Sequence, residues 1–213
     1  MHDAPEARED EGMATMTFTA KDVQELRQRT GAGMMDCKKA LEESGGNMEK
    51  AAETLRAKGI AKAEKRAGRT ASEGQVISYV HHDGKTGVLL ELNCETDFVA
   101  RTEDFKLLGK EIALHIAAKA PLAVTKEQVQ PELVERERRI AEEQVRGSGK
   151  PEHLVPKIVD GKIEAFYKDV VLLSQPWIRE DKKTIADLIK ETSAKVGENI
   201  VVRRFARFRI GEE

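Results

Sequence analysis

Residues 75–94 read QVISYVHHDGKTGVLLELNC, and this stretch predicts a β-hairpin. Two runs that are rich in strand-forming residues flank Asp83 and Gly84. An Asp-Gly pair between two such runs is a strong short-range signal for a tight hairpin turn. The second run, 86–94, is apolar enough that we expect it to be a central strand of a sheet.

Upstream of the hairpin the apolar spacing is helical. Thr19 followed by Asp22 predicts a capping box at the start of a first helix, and glycines separate that helix from a second one. Asn47 is placed to cap a third helix, which we expect to end at Gly59. Three short helices with glycine-containing turns predict a compact bundle.

Downstream of the hairpin a longer helix is indicated by apolar residues at spacings of three and four, namely Phe105, Leu108, Ile112 and Ile116. The chain is helical again over 125–173. There Pro131 and Pro151 suit first-turn positions, and Gly161 is expected to break a helix. A short loop between two such helices predicts an antiparallel pair.

The C-terminal section returns to extended structure. Trp177 is expected to be exposed in a short extended piece, and Thr184 with Asp187 predicts a second capping box. Residues 199–210 then alternate as a strand does. One face would carry Ile200, Val202, Ala206, Phe208 and Ile210, and the other Arg203, Arg207 and Arg209.

These elements predict the α+β class, with a three-helix N-terminal domain followed by an antiparallel-sheet core with packed helices. The expected divisions are a disordered acidic extension over 1–16, the helical domain over 17–57, a basic helical linker over 58–72 and the core over 73–213. The core contains the helical excursion 125–173.

Composition excludes several classes of protein. The 213 residues carry a formal net charge of −2, so the molecule as a whole is no obvious binder of nucleic acid or membranes. No apolar run reaches the ~20 residues that a membrane span needs, and the acidic N-terminus does not resemble a signal peptide. Cys37 and Cys94 are too few for a disulfide framework. We therefore expect a cytoplasmic protein.

Residues that could carry catalysis are sparse, so we expect no enzyme, metal or cofactor. His81, His82 and Asp83 form the one local cluster, but neighbouring strand residues point to opposite faces, which opposes a shared metal. No phosphate-binding glycine loop of the GTPase type occurs. The basic segment 58–69 is read as a solvated linker; a phosphate-binding arm is the alternative, although no aromatic residues interleave it.

Several segments resemble bacterial elongation factor Ts. They are RTGAGMMDCKKAL at 29–41, LNCETDFVA at 92–100, QPWI at 175–178 and KVGENIVVRRF at 195–205. The segments occur in the family's order, and the resemblance covers roughly 17–210.

The resemblance implies a guanine-nucleotide exchange factor for the GTPase elongation factor Tu. In the family the N-terminal helices form a ubiquitin-associated-like module that docks on that GTPase. Arg27, Met34 and Met35 match its docking positions, and His115 matches a histidine that approaches the partner.

A Thr-Asp-Phe-Val loop of the family reaches the partner's magnesium site, and here that loop is Thr96, Asp97, Phe98 and Val99. The chain lacks the duplicated core of longer members and looks like the short form, which tends to be a homodimer. Residue 206 is Ala, and neither cysteine lies near it, so a dimer through that strand would be non-covalent.

Each of these assignments has an alternative. Met34 and Met35 could be bundle core, Phe98 could plug the core beneath a capped turn, and His115 is as well explained as a core histidine. A binding module of another class, which recognises ubiquitin-like folds or RNA without accelerating nucleotide release, is the competing function.

Overall fold

The computed structural model describes residues 18–212, so the predicted acidic extension over 1–16 lies outside the described residues. The chain forms two compact units that divide between Lys58 and Gly59. Within residues 18–212 there are eight α-helices, a three-stranded antiparallel sheet and a two-stranded sheet. The predicted α+β class is therefore confirmed.

The first unit contains the three predicted helices, α1 (Ala20–Thr30), α2 (Met34–Glu43) and the first part of α3 (Met48–Arg66). The capping box at Thr19 and Asp22 is present, and Asn47 caps α3 by accepting the backbone N–H of Lys50 at 3.0 Å. The core of this unit consists of Val23, Leu26, Cys37, Ala40, Leu41, Ala51 and Leu55. The ubiquitin-associated-like character stays a prediction.

The third helix was predicted to end at Gly59, but it continues through that residue to Arg66. A glycine inside a helix costs only about 1 kcal/mol relative to alanine, and the alanines, lysines and arginines around it are strong helix formers. A Cβ at position 59 would lie 3.1 Å from the Cβ of Ala194. Gly59 therefore does not end α3. It permits α3 to approach closely the helix that contains Ala194.

The second unit is built around the hairpin of β1 (Glu73–Val80) and β2 (Thr86–Cys94), and β5 (Val201–Arg209) completes the sheet in the order β1-β2-β5. The central position predicted for β2 is thus confirmed. The inner face of β2 packs against α5 (Glu103–Lys119). The shared core includes Leu90, Leu92, Phe105, Leu108, Ile112 and Ile116.

A β-bulge in β5 makes the predicted alternation wrong beyond Val202. Glu91 pairs with Arg204, whereas Leu92 pairs with Val202, so β5 carries one extra residue at Arg203. Because the side-chain period is two, one extra residue moves every later side chain to the opposite face. Phe208, predicted to share a face with Val202, lies on the opposite face and is 67% exposed.

The bulge also changes the environment of the terminal arginines and of Ile210. Phe205 and Arg207 lie opposite Leu90 and Val88 on the inner face, and Arg207 donates from Nε to the carbonyl oxygen of Ala117 at 3.3 Å. Ile210, predicted to share a face with the buried Val202, is exposed.

The helical excursion consists of α6 (Pro131–Gly147) and α7 (Val155–Val170), which pack against each other as predicted. Pro131 lies in the first turn of α6. Two predictions for this excursion were wrong. Gly161 lies inside α7 and does not break it, and Pro151 is not in the first turn of a helix but precedes a 3₁₀ turn over 152–154. Burial of one face of α7 outweighs the modest cost of an internal glycine.

The C-terminal section contains β3 (Pro176–Trp177), β4 (Glu180–Thr184) and α8 (Ile185–Val196), and the capping box at Thr184 is present. Trp177 is half-buried against the main core, so the prediction of an exposed indole was wrong. Among residues 18–212, no helix is both long enough and apolar enough to cross a membrane.

Candidate functional site

The segment predicted to act on a partner forms a capped helical turn at the end of the central strand β2. Thr96 is the N-cap of α4 (Asp97–Ala100), and its Oγ1 accepts the backbone N–H of Val99 at 3.4 Å. Val99 and Ala100 are buried, whereas Phe98 is 78% exposed. The turn is therefore anchored by its second half and presents Phe98 to solvent. We call residues 96–99 the tip.

The exposure of Phe98 excludes one of the two readings of this segment. The alternative was a capped turn whose Phe98 side chain fills the core. The capped turn is confirmed, but Phe98 does not fill the core. A single exposed apolar residue is common on protein surfaces. An exposed aromatic ring on a turn whose second half is buried in the core is, in contrast, held in a fixed place on the surface.

Asp97 lies beside Phe98 and has an internal partner. Arg101, one helical turn further on, donates from Nη2 to Asp97 Oδ2 at 2.6 Å, and the side chains of Arg101 and Asp97 are 75% and 45% exposed. An exposed ion pair of this type contributes at most about 1 kcal/mol. The carboxylate of Asp97 can therefore leave Arg101 at little cost.

The tip is tied to the loop that precedes β5. Glu198 accepts three hydrogen bonds there: the backbone N–H groups of Glu95 and Thr96 donate to Oε2 at 3.1 and 3.0 Å, and Thr96 Oγ1 donates to Oε1 at 2.6 Å. In return, Glu95 Oε1 accepts the backbone N–H of Asn199 at 2.7 Å. Sequence reasoning missed Glu198, although it lies in the segment 195–205 that carries part of the resemblance.

Cys94, at the end of β2, is a structural group. Its thiol donates to the carbonyl oxygen of Thr96 at 3.1 Å, and burial raises the pKa of Cys94 to about 11. A buried thiol that stays protonated at neutral pH is a poor nucleophile. Cys94 therefore supports the geometry of the tip and offers no covalent chemistry.

The docking residues predicted in the first unit are all on its surface. Met34 and Met35 begin α2 and are 45% and 74% exposed, and Arg27 on α1 is exposed as well. The alternative that either methionine belongs to the core is wrong, because Cys37, Ala40 and Leu41 fill that role. Two adjacent exposed methionines form an apolar patch that can adapt to an irregular surface.

His115 is fully buried in α5, as the core alternative requires. Its Nε2 lies 2.9 Å from Gln175 Oε1, and Gln175 Nε2 donates to the carbonyl oxygen of Asp169 at 2.5 Å. Since the amide nitrogen of Gln175 is committed, its oxygen is the acceptor and His115 carries its proton on Nε2. Burial lowers the pKa of His115, and the bond to Gln175 opposes that shift. Its side chain does not reach the surface.

The histidines at the hairpin turn are closer together than predicted. The rings of His81 and His82 have centroids 4.2 Å apart, and Tyr79 Oη lies 2.9 Å from His81 Nδ1. The prediction of divergent rings was wrong because β1 ends at Val80, so strand alternation no longer applies. Within the described part of the chain, no group of three or more His, Cys, Asp or Glu side chains is placed to hold a metal.

Comparison with known proteins identifies the family. The sequence model described as Elongation factor TS matches residues 13–212. Elongation factor Ts from Fervidobacterium nodosum is 58% identical over 197 residues, which cover 92% of this chain and 100% of that protein. The protein of the same name from Coprothermobacter proteolyticus is 56% identical over 197 residues, with the same two coverages. This chain therefore belongs to the elongation factor Ts family.

Proposed function

We propose that this chain binds the GDP-bound form of elongation factor Tu, promotes release of GDP and thereby allows GTP to bind. It acts as a guanine-nucleotide exchange factor and makes or breaks no covalent bond. The observation that carries this proposal is the tip, where an exposed Phe98 and the adjacent Asp97 project from a turn anchored in the core. Membership of the family supports the same activity.

Phe98 would act as a wedge. The affinity of a GTPase for its nucleotide depends on a phosphate cradle and a magnesium ion, so displacing part of that cradle weakens binding. Burying an aromatic side chain contributes about 1.5–3 kcal/mol. Each 1.4 kcal/mol taken from nucleotide affinity weakens it about tenfold. Inserting Phe98 into the partner could thus hold a loop of the GTPase in a displaced position.

Asp97 would act on the magnesium ion by electrostatics. It would leave Arg101, its partner in the free protein, and compete for the cation or disturb its water shell. Coupling between the two ligands is reciprocal, so incoming nucleotide must weaken the exchange factor by the same factor. This reciprocity releases the factor and permits repeated cycles.

Docking would use the exposed patch on the first unit. Met34 and Met35 supply apolar area, and Arg27 supplies a charge at the surface of the same unit. Docking raises the local concentration of the tip at the GTPase without itself disturbing the nucleotide. Because His115 is buried, we assign it a structural role and leave it out of the docking surface.

We also propose a non-covalent homodimer that forms through the open face of the sheet. The inner face is covered by α5, whereas the outer face carries exposed apolar residues on all three strands: Val76, Val80, Leu89 and Phe208. A groove of about 550 Å³ at one end of this face includes Val80 and Phe208 among its lining residues. The resemblance to the short form favours a second copy as the occupant. Both cysteines are buried elsewhere, so no disulfide would link the copies.

This activity places the protein in the cytoplasm, with elongation factor Tu and a second copy of itself as partners and with no cofactor. Direct binding of nucleic acid is not expected, given a formal net charge of −2.

A titration separates the proposal from the competing adaptor. Release of fluorescent GDP from elongation factor Tu is followed in an excess of unlabelled GDP after adding this protein at about one-tenth of the GTPase concentration. An exchange factor accelerates release of the whole GDP population, since each molecule acts repeatedly. An adaptor binds but leaves the release rate unchanged, and an RNA binder loses affinity for RNA steeply as salt is added.

A further inference from the structure

We propose that Glu198 is a positioning residue for nucleotide exchange: its carboxylate holds the tip in the conformation that presents Phe98 to the GTPase. This inference rests on the proposed function and assigns a role to a residue outside the tip. It follows from the hydrogen bonds around residues 95 and 96 and from the side chains that surround them.

The carboxylate of Glu198 is occupied by donors from the tip. Two consecutive backbone N–H groups, of Glu95 and Thr96, donate to Oε2, and the Thr96 hydroxyl donates to Oε1 at 2.6 Å. Bonds to an ionised acceptor are roughly twice as strong as bonds between neutral groups. These donors lie where the chain leaves β2 and enters α4, a helix of four residues that can supply few bonds of its own. Glu198 therefore fixes the direction in which α4 leaves the sheet.

A second, reversed set of bonds makes the junction rigid. Glu95 Oε1 accepts the N–H of Asn199 at 2.7 Å, and Glu95 Oε2 lies 3.5 Å from Nη1 of Arg69. Asn199 is buried, and its Nδ2 donates to the carbonyl oxygens of Ala67 and Arg69 at 3.3 and 2.8 Å. Three distant segments, around residues 67–69, 95–96 and 198–199, thus meet beneath the tip. A site is most effective when its supporting shell is fixed in this way.

Glu198 is suited to this role and not to direct contact with a partner. Both of its carboxylate oxygens are engaged by the chain's own donors, and the side chain is only partly exposed. Gly197 ends α8 with a left-handed conformation at φ 81°, which turns the chain so that the next residue meets the tip. The effect of Glu198 on exchange should therefore act through the orientation of Phe98.

The test compares GDP release by wild type, Glu198→Ala, Phe98→Ala and the double variant, each checked for folding by thermal unfolding. We expect Glu198→Ala to lower the exchange rate about tenfold, equivalent to about 1.4 kcal/mol. Glu198→Gln should recover most of the rate, because its carbonyl oxygen can still accept both backbone N–H groups. The loss of rate in the double variant should be smaller than the product of the two single losses, since a misplaced tip costs less once Phe98 is absent.

Two further variants complete the design. Glu111→Ala removes another partly buried carboxylate, paired with Arg179 at 2.6 Å, and controls for general loss of stability. Thr96→Val changes the shape little but removes the hydroxyl that donates to Glu198 and caps the N–H of Val99. It carries the test if Glu198→Ala fails to fold. We expect Thr96→Val to slow exchange severalfold and Glu111→Ala to exchange like wild type.

The outcomes separate the two proposals. A wild-type protein that does not accelerate GDP release contradicts the proposed function itself. If wild type is active, the positioning role is overturned by wild-type exchange rates in Glu198→Ala or Thr96→Val. It is also overturned if the fold-reduction in exchange rate of the double variant equals the product of the two single fold-reductions. Glu198 would then act independently of Phe98.

Discussion

Phe98 and Val99 are neighbours in sequence with opposite environments: Phe98 is 78% exposed and Val99 is buried in the main core. Adjacent residues of a helix point about 100° apart, so a turn of only four residues can both anchor itself and display a side chain. Val99 and Ala100 hold the turn, and Phe98 remains available. This division is the structural basis of the proposed exchange activity.

The apolar patch on the first unit predicts the effect of shortening Met35. We expect Met35→Ala to weaken the complex with elongation factor Tu by about 1–2 kcal/mol, or about five- to thirtyfold in the dissociation constant. Stability should be unchanged, because the side chain is exposed. Calorimetric titration measures the affinity, and Glu53→Ala, at an exposed position on α3, is the control. An unchanged dissociation constant in Met35→Ala would locate docking elsewhere.

The carboxylate of Asp97 predicts a dependence on magnesium. Asp97→Asn keeps the shape of the side chain but removes the charge that would disturb the cation. We expect slower GDP release than with wild type, and a larger defect as the magnesium concentration rises. Exchange rates measured across a magnesium series check this. A defect that is independent of magnesium would assign Asp97 a purely steric role.

The outer face of the sheet predicts the result of adding a charge at Phe208. The side chain is exposed, so Phe208→Glu should leave the fold intact. In a two-fold dimer it would bring two carboxylates into an apolar interface, which we expect to weaken association by at least about 2 kcal/mol. Sedimentation equilibrium checks the dissociation constant, with Leu122→Glu as an exposed control. A wild-type protein that remains monomeric at high micromolar concentration would contradict the proposed dimer.

The burial of His115 predicts a pH dependence of stability. Burial lowers its pKa in the folded state below the ordinary value of 6.5. As the pH falls below 6.5, the unfolded chain takes up a proton that the folded protein does not, so stability falls. The slope from this group is at most about 1.4 kcal/mol per pH unit. Above that pH His115 is neutral in both the folded and the unfolded protein, so its protonation no longer lowers the free energy of unfolding.

Urea unfolding of wild type and His115→Gln between pH 8 and pH 5 tests this dependence. Glutamine retains an N–H donor for Gln175 but does not titrate in this range. We therefore expect the stability difference between the two proteins to change in favour of the variant as the pH falls. Parallel pH profiles would mean that His115 is not responsible.

Features set by a few neighbouring residues were predictable from the sequence. The hairpin turn needs a residue with positive φ, and Gly84 adopts φ 68° there. The capping boxes at Thr19 and Thr184 depend only on a carboxylate three residues later. In each case the local chemistry and the final fold favour the same conformation.

Features that depend on distant segments were not predictable. The bulge at Arg203 arises from pairing with β2, and the sequence of residues 199–210 alternates equally well without it. The exposure of Phe98 likewise depends on Val99 filling the core in its place. Glu198 went unnoticed because the residue that it holds, Thr96, is 102 positions away.

The central claim is that Phe98 drives nucleotide release, and stopped-flow measurement of GDP release from elongation factor Tu tests it most directly. Wild type, Phe98→Ala and the exposed control Leu122→Ala are compared at saturating concentration, so that differences in docking do not contribute. We expect Phe98→Ala to bind and fold like wild type but to release GDP at least about tenfold more slowly, or by about 1.4 kcal/mol. Release by Phe98→Ala at the wild-type rate would contradict the account.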